Sequence, residues 1–512
     1  MTDASENATG TAAPGMIDQG GHPIKSPQET RRAFFRVFPA IMLSMFMAGL
    51  DTTIVAAALP AIAGDLGELE RISWVVVSYL VAATVSAPVY GRLGDVFGQR
   101  RMLFIGQAMF VTGAICCVFS TSMTMLTIAR VVQGLGAGGL LTLWQSLVAE
   151  AIGPRERPRY QGYLAAVFVI SSSSGPVVGG ALTALFGWQA IFMVFIPLTV
   201  LAAVLALRLE AKPGRAGKFR FDLLGAILLT VFVVALVLAL EQAQRFTAQG
   251  AWRAAMIGAV SLAALATLLW HELRIEQPLV PIKAFRNPSI WRANLFGALT
   301  NGCLVAVVTF MPIYLQAVRG VGPGELGLML LPMTGFVPVG ATLAGRIVTR
   351  SGHLTAAPAV GAGVLAVVLA LFAFFGGQVS TTTLAFLFPI YALALGACFP
   401  SIPALVQHVA GPKLLGAAAA SIQVSRSLGS ALLTAMVGAA LFATTAAADP
   451  QLAALFTRLI QHDSTALAGL DPAHIAEVRA GLGDAFRTAF LVVSGFMVVA
   501  MGVCLTIPQK RF

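Results

Sequence analysis

The sequence predicts an all-α polytopic membrane protein: two parallel six-helix bundles with two extra helices inserted between them, fourteen spans in all. Three observations carry this. The chain is 57% hydrophobic and only 11% charged, whereas soluble domains carry roughly 25% charged residues. Its apolar residues gather into fourteen runs, each near the ~20 residues that cross a ~30 Å hydrocarbon core at ~1.5 Å per residue. Finally, Lys and Arg sort to one side when the loops between those runs are alternated.

The first six runs lie near 37–62, 72–91, 102–121, 124–150, 160–185 and 188–207. Two follow near 223–241 and 252–270, and six more near 290–315, 325–346, 355–376, 381–405, 414–442 and 486–507. An even number of spans puts both termini on one side. That side collects 24 of the 33 Lys and Arg residues and the other 7, while Arg130 and Arg426 fall inside runs. Both termini are therefore expected in the cytoplasm, with the chain in the plasma or inner membrane. Residues 1–35 are rich in small and polar types and read as a disordered tail. A cleaved signal peptide is the alternative, but the first apolar run is too long for one and carries Asp51. The loop at 443–484 has helix-like apolar spacing around 452–460 and 475–482, which reads as a short amphipathic segment on the outer membrane surface.

An internal repeat sets the domain boundaries. Gly91-Arg92-Leu93 is followed by Gly98, and Gly345-Arg346-Ile347 by Gly352, with the same seven-residue step after an even-numbered run. A plain duplication of six helices would put the second copy two runs earlier. The expected units are therefore a half at 36–208, two additional spans with linkers at 209–288, and a second half at 289–512.

The composition excludes a soluble enzyme and a disordered chain. The net charge of +11 belongs to membrane loops, so no nucleic-acid partner is expected. Five cysteines in apolar runs, with no CxxC spacing, argue against a disulfide framework or a metal site. No GxxxxGK[ST] loop is present, so neither ATP nor a cofactor is expected.

Asp51 and Arg130 are ionisable groups within apolar runs, where a charge is costly unless paired or wet. Both fall in the outer half of their spans, roughly 16 Å and 9 Å deep, and could share a cavity. Desolvation opposes the carboxylate charge and a nearby cation supports it. Two readings stand: Asp51 exchanges a proton, or it is a permanently ionised structural partner.

Four motifs occur in order. They are Leu50-Asp51-Thr52-Thr53-Ile54-Val55, Gly91-Arg92-Leu93-Gly94-Asp95-Val96-Phe97-Gly98-Gln99-Arg100-Arg101, Arg130-Val131-Val132-Gln133-Gly134, and Gly175-Pro176-Val177-Val178-Gly179-Gly180. Together they resemble the major facilitator superfamily, specifically its fourteen-span drug:proton antiporters. The resemblance implies rocking of two halves about a central cavity, with proton-driven efflux of small, mostly apolar or cationic compounds and a part in antibiotic resistance. It implies a proton-coupling role for Asp51 and Arg130. It also implies a latch formed by Gly91, Asp95, Gly98, Arg100 and Arg101, in a tight turn where Asp95 meets a helix N-terminus or two guanidiniums. Gly175, Pro176, Gly179 and Gly180 correspond to an antiporter bend in the fifth span. Thr349 replaces Asp95 in the second copy, so that half should lack the charge lock. Arg426 reads as either a packing residue or a cavity cation. The expected partners are a small-molecule substrate, protons and the lipid bilayer, with the chain acting as a monomer. A dedicated metabolite carrier of the same fold is the nearest rival.

Overall fold

The structure, a computed structural model, describes residues 27–67, 71–210, 221–243, 248–275, 278–279, 282–412, 414–448 and 472–511. The first half comprises α1 (Pro27–Leu66), α2 (Ile72–Phe97), α3 (Gln99–Val118), α4 (Met123–Ala151), α5 (Arg157–Phe186), α6 (Ala190–Met193) and α7 (Phe195–Ala206). An additional pair follows, α8 (Leu223–Ala243) and α9 (Ala248–Arg274). The remaining helices are α10 (Pro288–Ile313), α11 (Pro323–Gly335), α12 (Val337–Ser351), α13 (Ala356–Phe375), α14 (Thr381–Ala397), α15 (Ser401–Ala410), α16 (Leu415–Ala448) and α17 (Pro472–Leu505). Among the described residues, thirteen stretches are long and apolar enough to cross a bilayer, and Ala190–Ala206 is a shorter fourteenth.

Apolar side chains form three cores rather than one. Residues between Ala40 and Leu209 fill the first, those between Ile290 and Ile507 the second, and a small third lies between α8 and α9. Val81, Val85 and Val89 of α2 and Leu428 of α16 pack against that third core. The additional pair thus straddles the line where the two large bundles meet.

Four spans and the outer loop differ from the sequence expectation. The helix of the first span begins at Pro27, so residues 27–35 of the expected disordered tail are helical, while residues 1–26 lie outside the described residues. The sixth span is interrupted at Val194, and the tenth and twelfth are each made of two helices in series. Most of the outer loop, including 452–460, lies outside the described residues. Its expected amphipathic segment at 475–482 is the start of α17 instead. Val478 and Leu482 are buried in the second core, so their apolar face is satisfied by protein rather than by a membrane surface.

The two copies of the repeated motif end their helices alike. Gly98 has φ +93° and donates its N–H to Gly94 O at 3.0 Å; Gly352 has φ +72° and donates to Val348 O at 2.8 Å. A left-handed residue at this position stops a helix and favours glycine. Gly91, Arg92 and Asp95 therefore lie in the last turns of α2, and Gly98 alone of these forms the turn.

Candidate functional site

Asp51 sits midway along α1 and Arg130 two turns into α4. The packing of α1 against α4 makes them partners. Arg130 Nη1 donates to Asp51 Oδ2 at 2.9 Å and to Oδ1 at 3.0 Å. Gln133, one turn along α4, donates its Nε2 to Asp51 Oδ1 at 3.1 Å and accepts from Arg130 Nη1 at 2.8 Å. The guanidinium also donates through Nε to Val75 O at 3.1 Å and lies 4.1 Å from the Tyr79 ring centroid. Asp51 is 0% exposed and Arg130 1%. The expected shared cavity is therefore a direct, sealed ion pair.

Its chemistry follows from that partner list. A buried charge losing its counter-charge is costly, of order 3–5 kcal/mol. Arg130, however, has Gln133 Oε1, Val75 O and the Tyr79 ring besides the carboxylate. A proton landing on Asp51 would leave the cation with hydrogen bonds and a cation–π contact. The carboxyl can thus be neutralised without stranding the guanidinium.

The glycines of α5 shape the wall beside this pair. Gly175 and Gly179 are buried and Pro176 and Gly180 are exposed, so the four residues divide between two faces. A side chain on Gly175 would run into Thr53, and one on Gly179 would come within 2.7 Å of Ile54 O. These two let α5 approach α1 within three residues of Asp51. A side chain on Gly180 would meet nothing within 4 Å, so Gly180 takes no part in this approach. Pro176 withdraws one backbone donor from α5, yet the helix runs unbroken from Arg157 to Phe186. Ser171, which stands where the resembled motif often has glycine, fills the space against Gly49.

The ends of the bundles nearest the termini meet closely. Asp95 accepts from the backbone N–H groups of Gly416 at 2.8 Å and Ala417 at 3.1 Å, and from Gln99 Nε2 at 3.1 Å. A carboxylate of the first half therefore caps the N-terminus of α16 in the second, where free N–H groups and the helix dipole favour an anion. Of the two partners considered for Asp95, the helix N-terminus is the one seen across the seam. Arg100 reaches Leu207 O at 3.0 Å, at the end of α7, and Arg101 is exposed. A Cβ on Gly91 would sit 2.5 Å from Gly416 O. On the pseudo-equivalent side, Gly345 abuts the backbone of Pro158, and Thr349 donates to Gly345 O of its own helix at 2.9 Å. Between these two crossings, Gln407 Nε2 donates to Gln145 O at 3.2 Å, both residues fully buried. On the terminal side the two halves are therefore in contact at these three places.

Residues 41–434 match the family profile described as the Major Facilitator Superfamily. The chain belongs to this superfamily. An uncharacterized MFS-type transporter of Mycobacterium tuberculosis is 33% identical over 84% of this chain, and the match spans 62% of that relative's length. The multidrug transporter protein MdtP of Bacillus subtilis is 26% identical over 81% of this chain and 76% of its own. Among solved structures, the human organic anion transporter MFSD10 superposes with a TM-score of 0.63 at 14% identity, covering 94% of this chain and all of that one. The proton:xylose symporter XylE gives 0.61 at 13%, covering 94% and 97%. At these identities the two structures establish the fold. The chain is thus a multi-pass membrane protein of the superfamily.

Two contributors to the candidate site carry little sequence signal. Gln133 is visible only as the residue one turn from Arg130, and Gly416 opens an alanine run with nothing to mark it as the partner of Asp95. Arg426, the remaining candidate, lies well inside α16 with its guanidinium 5.2 Å from the Phe399 ring centroid. It is not part of the Asp51–Arg130 cluster.

Proposed function

We propose that this chain is a proton-driven exporter of small, mostly apolar compounds that works by alternating access, with both termini in the cytoplasm. The observation that carries this is the sealed pair of Asp51 and Arg130, whose cation keeps other partners when the carboxyl is neutral. In this reading the structure is the outward-facing state, closed towards the cytoplasm by Asp95 on α16 and by Gly91 and Gly345 at the two crossings. A proton from outside neutralises Asp51 and loosens α1 from α4. The halves then rock, the cytoplasmic seal opens, and cargo binds as the proton leaves. Proton and cargo need only favour different states. The names of two Bacillus subtilis relatives, multidrug transporter protein MdtP and multidrug resistance protein 3, support export of this kind.

The test is dye efflux from energised cells or everted vesicles expressing the full chain. Collapsing the proton gradient with a protonophore should abolish uphill efflux while leaving the protein level unchanged. Efflux that continues at full rate without a gradient would refute proton drive. Uphill movement of one polar solute, with no dye moved at all, would favour a dedicated carrier.

A further inference from the structure

In the first half Arg130, inside a span, meets a carboxylate; among the described residues of the second, Arg426 meets none. Between Pro288 and Ala448 the sequence contains a single acid, Glu325, which lies in the first turn of α11 at the end of the helix away from the terminal side. Arg426 is eleven residues in from Leu415, roughly 16 Å along α16. No acid of its own half stands at that depth within the described helices. In the first half Asp51, buried midway along α1, is taken by Arg130.

The surroundings of Arg426 say what the missing partner looks like. Among the described residues its guanidinium makes a single contact, with the face of Phe399, and its enclosed Nε has no acceptor. The side chain nevertheless stays half-buried rather than sealed. Its neighbours are not lipid-facing. Asn301 of α10 donates Nδ2 to Arg426 O at 3.3 Å and to Ser430 Oγ at 2.7 Å, which ties this stretch of α16 to α10. Phe399 belongs to the break between α14 and α15, and α15 touches the first half through Gln407 and Gln145. α16 itself packs against α2 and α4 of the first half, so Arg426 stands on a helix of the seam between the halves. An ionised group in the membrane interior is retained where it meets water or an opposite charge, and Arg cannot shed its proton to escape the cost.

We infer that Arg426 and the Phe399 ring form an anion subsite in the cavity between the halves, which takes the carboxylate or sulfonate of an otherwise apolar cargo. This rests on the proposed export function and refines it: a cationic compound would be repelled at this position, an amphipathic organic anion held. The guanidinium fork supplies two parallel donors to such a group, and the ring supplies an apolar face beside it.

The experiment uses purified full-length protein in zwitterionic lipid nanodiscs, with no gradient present. Fluorescence titration compares anilinonaphthalenesulfonate with N-phenylnaphthylamine, its uncharged relative, after subtraction of empty discs. Wild type should bind the sulfonate at least about tenfold more tightly, the worth of one charge-assisted contact. Arg426→Gln should erase that preference and leave the neutral dye within about twofold. Arg426→Lys, which keeps the charge without the fork, should retain part of it. Equal affinity for both dyes in wild type, or an equal loss of both in Arg426→Gln despite an unchanged melting temperature, would overturn the assignment. So would displacement of the dye by inorganic sulfate alone, which would mark a simple ion site. Because binding is read at equilibrium, failure of proton drive leaves these results unchanged, and Asp51→Asn should keep the Arg426-dependent preference.

Discussion

Asp51→Asn should remove gradient-driven efflux, lowering the uphill rate by about 100-fold or more. Asn preserves shape and can still accept from Arg130 Nη1, which lies 2.9 Å from Asp51 Oδ2, but it cannot carry an exchangeable proton. Arg130 keeps Gln133, Val75 O and the Tyr79 ring but loses the attraction of its counter-charge, so the variant should melt at a lower temperature than wild type, by less than the ~3–5 kcal/mol of a cation left with no partner. The second variant separates the two effects. In Asp51→Asn/Arg130→Gln neither charge of the pair remains, and replacing both partners of a buried pair is often neutral or stabilising. Its stability should return while its efflux stays absent. If efflux returned with stability, the carboxylate would be a structural partner of the arginine and nothing more.

Gly91→Ala should trap the transporter open on its terminal side. The added methyl would stand 2.5 Å from Gly416 O and 2.9 Å from Ala420 Cβ. Backbone cannot step aside as a long side chain can, so α2 and α16 must part. Overpacking of this kind costs ~1–3 kcal/mol, enough to move a two-state balance about tenfold or more. The seal offers its own reporter, since Gln145 is fully buried beside Gln407. A Gln145→Cys thiol should resist a polar maleimide in the wild-type background and react in the Gly91→Ala background. Gly180→Ala, where the new methyl meets nothing within 4 Å, should leave the thiol protected. Equal protection in all three backgrounds would mean that the crossing does not hold the seal.

The residues behind these two predictions differ in how visible they are in the sequence. Asp51 and Arg130 stand out because a charge in an apolar run needs a reason. Their partnership does not, because they are 79 positions apart and meet only through the packing of α1 on α4. Gly91 and Gly345 are readable from their shared step, and both prove to be crossing points of the two halves. What Asp95 binds is invisible beforehand, since a helix N-terminus presents backbone N–H groups that any residue would supply. Span existence follows from hydropathy, but the interruptions at Val194 and between α14 and α15 do not, because apolar content reports burial in the membrane and not continuity of the helix. The early start of α1 has the same origin: residues 27–35 are polar enough to leave the bilayer yet still helical. Arg426 was visible as a charge, while its lack of a carboxylate partner needed the neighbours on α10 and the Phe399 break to be placed.

In the proposed cycle Asp51 changes protonation as the halves change places. Infrared difference spectroscopy reads it most directly, with the carboxyl band assigned by its loss in Asp51→Asn. The band is followed against pH in wild type and in Gly91→Ala, one conformer each. The carboxyl should titrate, with a midpoint that differs between the two proteins. A carboxyl that keeps one ionisation state in both, across the whole pH range in which the protein remains folded, would contradict it.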